Sequence, residues 1–160
     1  MFSTHIGNLS DRLIRTIEGN AEEFTRGTVK ALQSNPRTQS YRNLPDREIY
    51  NRCYEVYHNL GRWLWEKSDQ AIQAHFSDVG ESRCQVGIPL AEVLWALVLT
   101  KERLLEYLGA CGLVDSAIEL YQQQEFDRLI GHFFDRAICY AASGYERQAF
   151  ERKHRATTAG

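Results

Sequence analysis

Two Glu-x-x-His spacings are the strongest candidates for chemistry in this sequence. Glu55 precedes His58 and Glu151 precedes His154, and on a helix each spacing puts a carboxylate and an imidazole on one face. Helical di-iron proteins use two such pairs together with two more glutamates. The second pair lies in a charged tail, residues 146–155, which we expect to be solvated, and no inward-facing glutamate stands out on the fourth predicted helix. We therefore interpret both pairs as surface polar residues and keep a metal-dependent, di-iron-like helical enzyme as the alternative.

Other catalytic and cofactor patterns are weaker. His58, His75 and His132 are the candidate axial ligands for haem, but no histidine lies between His75 and His132, where a middle helix would have to supply one. No Gly-x-Ser-x-Gly elbow and no glycine-rich phosphate loop occurs. Four cysteines lie about 30 residues apart without a Cys-x-x-Cys pair, which predicts reduced thiols rather than a zinc or redox site. They are Cys53, Cys84, Cys111 and Cys139. We predict no catalytic residue, no cofactor and no metal site.

Five residues are candidates for an interface or a small pocket. They are Trp63, Trp95, Lys101, Asp135 and Arg136. Lys101 falls on the apolar side of the fourth predicted helix, where an unpaired ammonium would be costly, so snorkelling to solvent, an ion pair and an anchor for an anionic ligand all stay open. Asp135 and Arg136 interrupt an apolar stretch, and the helical wheel favours a surface or interface position for them. Most aromatic residues are expected in the core, and Trp95 is the first choice for a dimer face.

The composition limits the class of protein. The chain has 160 residues, with 19 Lys plus Arg against 21 Asp plus Glu, and 43% of its residues are hydrophobic. Its net charge of −2 offers no basic field for nucleic acid and no polybasic membrane anchor. No uncharged stretch approaches the ~20 apolar residues that cross a bilayer, and charges at Asp11, Arg12 and Arg15 replace the apolar stretch of an export signal. We expect a single cytoplasmic domain, residues 1–160, that binds neither nucleic acid nor membrane.

Hydrophobic periodicity predicts helices along the first half of the chain. The apolar residues that indicate the first helix are Leu9, Leu13, Ile17, Phe24 and Leu32. This helix is long or broken once, ends before Asn35, and has weak points at Gly19 and Gly27. Pro45 then suits the first turn of a second helix, and Ser68 can cap a third.

The second half of the chain is also predicted to be helical. The fourth helix starts at Pro89, ends near Leu108 and is apolar on more than one side, which places it in the middle of the bundle or at a subunit contact. Beyond Gly112, a short helix to Gln124 is followed by, or continuous with, a long helix past Tyr145. Three glycines are interpreted as helix ends, namely Gly80, Gly109 and Gly112. No segment shows the period-two alternation of a strand. The sequence therefore predicts an all-α fold of five or six helices, packed as an antiparallel-type bundle.

Four segments carry a family resemblance. They are residues 34–38 (SNPRT) with 44–46 (LPD), residues 57–64 (YHNLGRWL), residues 87–94 (GIPLAEVL), and residues 133–137 (FFDRA) with 144–146 (GYE). Together they resemble the amino-terminal domain family named after the RsbRD stressosome proteins, the co-antagonists of the RsbT kinase. The resemblance covers roughly residues 10–147 and leaves residues 148–160 as a charged tail. The Gly-Ile-Pro-Leu helix start is its most specific piece.

The resemblance implies a bacterial, non-catalytic helical sensory or regulatory domain in stress or signal transduction, with a kinase or a STAS-type output protein as its partner. Related stressosome sensors have globin-like amino-terminal domains that bind no haem and dimerise. We therefore expect a bundle of that kind without haem, and a homodimer that uses part of the fourth or the last helix. Because the chain ends at Gly160 without room for an output domain, we expect it to act through another protein or as an isolated module. A carrier of a small apolar ligand in the bundle core is the third possibility.

Overall fold

A computed structural model describes residues 9–160 as an all-α protein, and no strand occurs in that range. The six α-helices are α1 (Leu9–Gly19), α2 (Ala21–Ser34), α3 (Asp46–His58), α4 (Asp69–Gln85), α5 (Leu90–Ala110) and α6 (Ala117–Thr158). A 3₁₀ segment (Pro36–Asn43) follows α2, and a π segment (Arg62–Glu66) precedes α4. The predicted all-α class is confirmed, although these eight helical segments exceed the five or six predicted. In the same range, no helix is both long enough and apolar enough to cross a membrane.

Local sequence signals set most helix boundaries. The first predicted helix is broken once, at Asn20, directly after the weak point at Gly19. Pro45 and Pro89 stand immediately before α3 and α5 rather than inside their first turns. The Ser68 hydroxyl caps α4 by accepting a hydrogen bond from the Ala71 amide at 3.1 Å, as predicted. In the last third of the chain, the two predicted helices form one continuous helix, α6.

The core has two adjoining parts. The larger part packs α1, α3 and α4 around the middle of α6, and its largest fully buried side chains are Tyr57, Phe126, Phe133 and Phe134. The smaller part lies beneath the 3₁₀ segment, where Leu32, Tyr41, Ile49 and Val93 pack together. Burial of one such side chain stabilises the fold by roughly 1.5–3 kcal/mol. The apolar residues predicted for the first helix are all buried, which confirms that face.

α5 presents a narrower face to the core than its sequence suggests. Its buried residues follow one line of helical steps and include two small side chains: Val93, Ala96, Thr100, Leu104 and Leu108. The Thr100 hydroxyl bonds to the carbonyl of Ala96 at 2.7 Å, so its burial leaves no unpaired donor. Other apolar residues of this helix are only half-buried, namely Leu90, Leu94, Leu97, Val98 and Leu105. α5 is therefore at the edge of the core on one side, not enclosed on both.

Two glycines bring α4 and α6 into close contact. A Cβ atom added to Gly80 would overlap the carbonyl oxygen of Ala141, and one added to Gly144 would overlap that of Ser77. The interpretation of Gly80 as a helix end is therefore wrong: it lies inside α4 because only glycine lets the backbones approach this closely.

The same two helices run in the same direction. Asp69 near the start of α4 pairs with Arg136 at 3.2 Å, and the Cys84 carbonyl at its end accepts a hydrogen bond from Arg152 at 2.9 Å. Residues early in α4 therefore contact residues early in the paired part of α6, and later residues contact later ones, as in a parallel pair of helices. The predicted antiparallel arrangement is wrong for this pair, because the intervening α5 returns the chain before α6 begins.

α6 extends beyond the packed core. Its 42 residues span about 63 Å at 1.5 Å per residue. Buried positions occur from Phe126 to Gln148, whereas residues 151–160 are entirely exposed. Of the tail predicted to be solvated, residues 146–155, Gln148 is buried and Ala149 is half-buried, whereas the other residues are exposed. All of this segment belongs to α6.

We predict that adding a methyl group at the α4–α6 contact destabilises the protein. Gly144→Ala should lower the free energy of unfolding by about 2 kcal/mol or more, since the Cβ must displace the backbone of α4. Gly131→Ala is the matched control on the same helix, where a Cβ meets no atom within 4 Å. The control should be neutral or stabilising by up to ~1 kcal/mol. Urea unfolding followed by circular dichroism measures both, and equal stability of the two variants would contradict the close contact.

Candidate functional site

A cavity of about 60 Å³ lies where α3, α4 and α5 meet. Helical spacing brings its lining together, because steps of three and four residues put Cys53, Val56 and Tyr57 on one side of α3, and Phe76, Val79 and Arg83 on one side of α4. α5 contributes Val93, Ala96, Leu97 and Thr100, and α6 contributes Phe134. The walls are mainly apolar, with a small number of polar groups among them. That combination is typical of small-molecule sites.

Arg83 is the most unusual group in the cavity wall. Its side chain is only 4% exposed, and its Nε atom has no hydrogen-bond partner. The nearest carboxylate is that of Glu48, 3.9 Å from a terminal guanidinium nitrogen and itself 57% exposed. The guanidinium also lies 5.7 Å from the centre of the Tyr41 ring. A buried positive charge is costly when it is poorly paired, so Arg83, with only the distant Glu48 carboxylate and a hydrogen bond to Tyr41, leaves the cavity with a weakly compensated charge.

The other ionisable groups nearby do not compensate Arg83. Burial raises the pKa of Tyr41 to about 12, although Arg83 opposes the rise. Desolvation likewise raises the pKa of the Cys53 thiol to about 12 and that of Tyr57 well above its ordinary value. All three are therefore neutral at pH 7. Because a thiol attacks as its thiolate, Cys53 is a poor nucleophile, and the arrangement suits binding rather than covalent chemistry.

A short hydrogen-bonded chain supports the phenol of Tyr57. The Thr28 hydroxyl lies 3.3 Å from the Tyr57 hydroxyl and accepts a hydrogen bond of the same length from Nε of Arg103. The guanidinium of Arg103 in turn lies 5.4 Å from the centre of the Phe24 ring. These contacts fix the orientation of Tyr57 against the cavity from the side of α2.

His75, on α4, also lines the cavity. Its ring meets that of Trp63 edge-on at 4.8 Å between centroids, and its buried Nε2 atom has no partner. Desolvation, with a smaller contribution from the positive charge of Arg52, lowers its pKa to about 4. His75 is therefore neutral at physiological pH, and it was interpreted from the sequence only as an ordinary histidine or haem-ligand candidate.

The structure separates the two tryptophans predicted as interface or pocket residues. Trp63 is 3% exposed, contacts His75, and donates from its indole nitrogen to the Glu55 carbonyl at 3.2 Å. Trp95 is half-buried on α5 beneath the guanidinium of Arg37, 3.8 Å from its ring. Neither ring is fully open to solvent, because Trp63 is buried and Arg37 covers one face of Trp95.

The three charged candidates lie elsewhere. Lys101 is half-buried on α5 and forms no ion pair with any residue in the described range 9–160. Asp135 and Arg136 are exposed, and Arg136 pairs with Asp69. No hydrogen bond, ion pair or ring contact joins any two of the five predicted residues, so they do not form one site.

Both Glu-x-x-His pairs have local partners. Glu55 accepts a hydrogen bond from Asn59, and His58 stacks on Tyr54 with 5.0 Å between centroids. In the exposed end of α6, Glu151 pairs with Arg155 at 3.5 Å and the ring of His154 lies 4.1 Å from that of Phe150. Within residues 9–160, no group of three or more His, Cys, Asp or Glu side chains is placed to hold a metal ion.

Sequence reasoning missed the cavity, although α4 contains a usable signal. Ile72, Phe76 and Val79 form an apolar stripe at helical spacing in its sequence, and Arg83 continues the same line of four- and three-residue steps. An arginine in register with a buried stripe indicates either a buried cation or an early end to the stripe. Only the packing of α3 and α5 against α4 decides between the two.

Comparisons with protein-family models, with curated proteins and with solved structures give no significant match for this chain.

The pKa of His75 predicts a loss of stability on acidification. Since its pKa is about 4 when folded and 6.5 in the unfolded chain, the contribution to stability is complete above pH 6.5 and is lost as the pH falls through 4. Between pH 8 and pH 5 the loss amounts to about 2 kcal/mol. Urea unfolding of wild type and His75→Gln at both pH values should show a smaller pH dependence in the variant. His132→Gln, at an exposed position of α6, is the control and should retain the wild-type dependence. A dependence identical in all three proteins would contradict the assignment.

Proposed function

We propose that this chain is a non-catalytic helical module that senses or regulates through contacts with other proteins in bacterial signal transduction. The proposal does not depend on a reactive centre. It depends on where the fold exposes apolar side chains, and it agrees with the class that the RsbRD-type resemblance implies.

The observation that carries the proposal is the form of α6. Its middle is built into the core, whereas its two ends expose large apolar side chains to solvent. At the start these are Ile118, Leu120 and Tyr121, which are 71%, 52% and 63% exposed, and near the end Phe150 is 62% exposed. Apolar side chains grouped on one helix end are a common feature of protein–protein contacts.

The half-buried apolar side of α5 is a second candidate surface. Leu94, Val98, Lys101 and Leu105 follow one another at helical steps along it, and none of them is fully buried. A second copy of the chain could cover the leucines and the valine while the Lys101 ammonium stays at the rim. We propose that the homodimer forms through one of two surfaces, this side of α5 or the start of α6.

A module of this kind signals if two packings of its helices differ by only a few kcal/mol and a ligand or partner prefers one of them. α6 is the element that would transmit the difference, because it contacts α4 along the core and then leaves the bundle. A kinase or a STAS-type output protein is the partner class that the resemblance implies.

The cavity supports the small-ligand alternative as well. Its walls are mostly apolar and come from five helices and the 3₁₀ segment, so it could hold a small molecule whose binding biases the helix packing. In this proposal a bound ligand is the signal that the module detects, not a molecule that it carries.

The homodimer is directly testable by sedimentation velocity at micromolar concentration. We expect a species of twice the 18.5 kDa chain mass for the wild type. The double variant Ile118→Glu with Tyr121→Glu should shift the protein to the monomer if α6 forms the interface, because carboxylates would be desolvated there. Leu94→Gln with Val98→Gln tests α5 in the same way.

Arg128→Glu is the matched control, since it changes an exposed residue of α6 whose ion-pair partner among residues 9–160 is Glu125, three residues away. It should sediment like the wild type. A wild-type protein that remains at the mass of one chain would overturn the proposed self-association.

A further inference from the structure

Arg83 and the cavity beside it are a cation facing an apolar space. The side chain is 4% exposed and its Nε is unpartnered, whereas Val79, Ala96 and Phe134 line the same space. A guanidinium offers five N–H donors in a planar fork that matches the two oxygens of a carboxylate. The site therefore combines the recognition element for an anionic oxygen pair with a pocket for an apolar group.

The charge balance of the cavity favours an anion with a single charge. Arg52, the second cation in the wall, already pairs with Asp78 at 2.5 Å, and Glu48 reaches Arg83 only at 3.9 Å from the solvent side. The hydroxyl of Tyr41 and the thiol of Cys53 can donate hydrogen bonds but bring no charge, whereas the Tyr57 hydroxyl is engaged with Thr28. One guanidinium thus lacks a close counter-ion, and one negative charge would balance it.

The volume limits the ligand. Since one water-sized atom needs about 10–15 Å³ of such volume, a cavity of about 60 Å³ accommodates roughly four to six non-hydrogen atoms. Chloride or nitrate would leave the apolar walls without a contact partner, whereas a carboxylate with a methyl or ethyl group would fill them. Benzoate exceeds the space.

We propose that this cavity is a binding site for a short-chain monocarboxylate of acetate or propionate size, held by the guanidinium of Arg83 with its alkyl group against Val79, Ala96 and Phe134. The inference rests on the proposed function for its consequence, since it supplies the ligand class that the sensory module would detect. Binding would neutralise a charge on α4, the helix that the glycine contact joins to α6.

The experiment is titration of the full chain with sodium acetate and sodium propionate at pH 7, by isothermal calorimetry and by thermal unfolding at constant ionic strength. We expect a Kd of about 1 mM and, at 50 mM ligand, a rise in Tm of several degrees. Sodium chloride and sodium benzoate should give no rise. Saturation by chloride instead would overturn the carboxylate assignment.

Two variants test the mode of binding. Arg83→Met keeps an unbranched apolar stem and removes the guanidinium, so it should weaken binding by at least ~10-fold. Ala96→Leu keeps Arg83 and fills the cavity, so it should abolish binding even if the first variant folds poorly. Arg128→Met, on the surface of α6, is the control and should bind like the wild type.

The outcomes separate this inference from the proposed function. Wild-type affinity in either cavity variant, or no binding at all, overturns the carboxylate site even if the homodimer is observed. Binding that requires Arg83 but leaves sedimentation unchanged supports the site and overturns its sensory role.

Discussion

The close approach of α4 and α6 at Gly80 and Gly144 is the constraint on which the rest of the structure depends. Each glycine faces a carbonyl of the other helix, so the two backbones are in direct contact. With that contact fixed, Phe76 lies edge-on to Phe133 at 5.7 Å between centroids, and the register of α4 is set. The same register points Arg83 into the space between α3 and α5. A backbone contact on one face of α4 thus determines that Arg83, on another face of the same helix, lines the cavity.

The interior contains more polar groups than the hydrophobic pattern suggests, and they are satisfied to different degrees. Thr25 and Thr28 are fully buried, but each hydroxyl bonds to the carbonyl four residues before it, so neither leaves an unpaired donor. Arg83 and His75 instead retain unpartnered nitrogen atoms beside the cavity. Native proteins hold few such groups, and at a cavity a water molecule, an ion or a ligand can satisfy them.

Much of the fold could be predicted from the sequence, and the part that could not has a physical reason. Ser68 as a cap and the break beside Gly19 are local effects of side-chain hydrogen bonding and backbone geometry, and they occur where predicted. Pro89 marks the start of α5 as predicted but stands one residue before it. The parallel course of α4 and α6 could not be predicted, because periodicity reports which face of a helix is apolar and not which helix covers it. Gly80 was misinterpreted for the same reason: its environment is set by Ala141, sixty-one residues away. The cavity depends on three helices at once, so neither Cys53 nor Arg83 could be assigned to it from spacing alone.

Because α6 is one continuous helix, a small tilt near its middle becomes a larger displacement at its end. About 21 Å of helix separates Gly144 from Thr158, at 1.5 Å per residue. A tilt of about 5° about the glycine contact therefore displaces the far end by about 2 Å, while side chains at the pivot barely move. The exposed end of α6 would thus act as a lever arm for any tilt at the glycine contact, and the hydrogen bond from Arg152 to the Cys84 carbonyl would oppose that tilt.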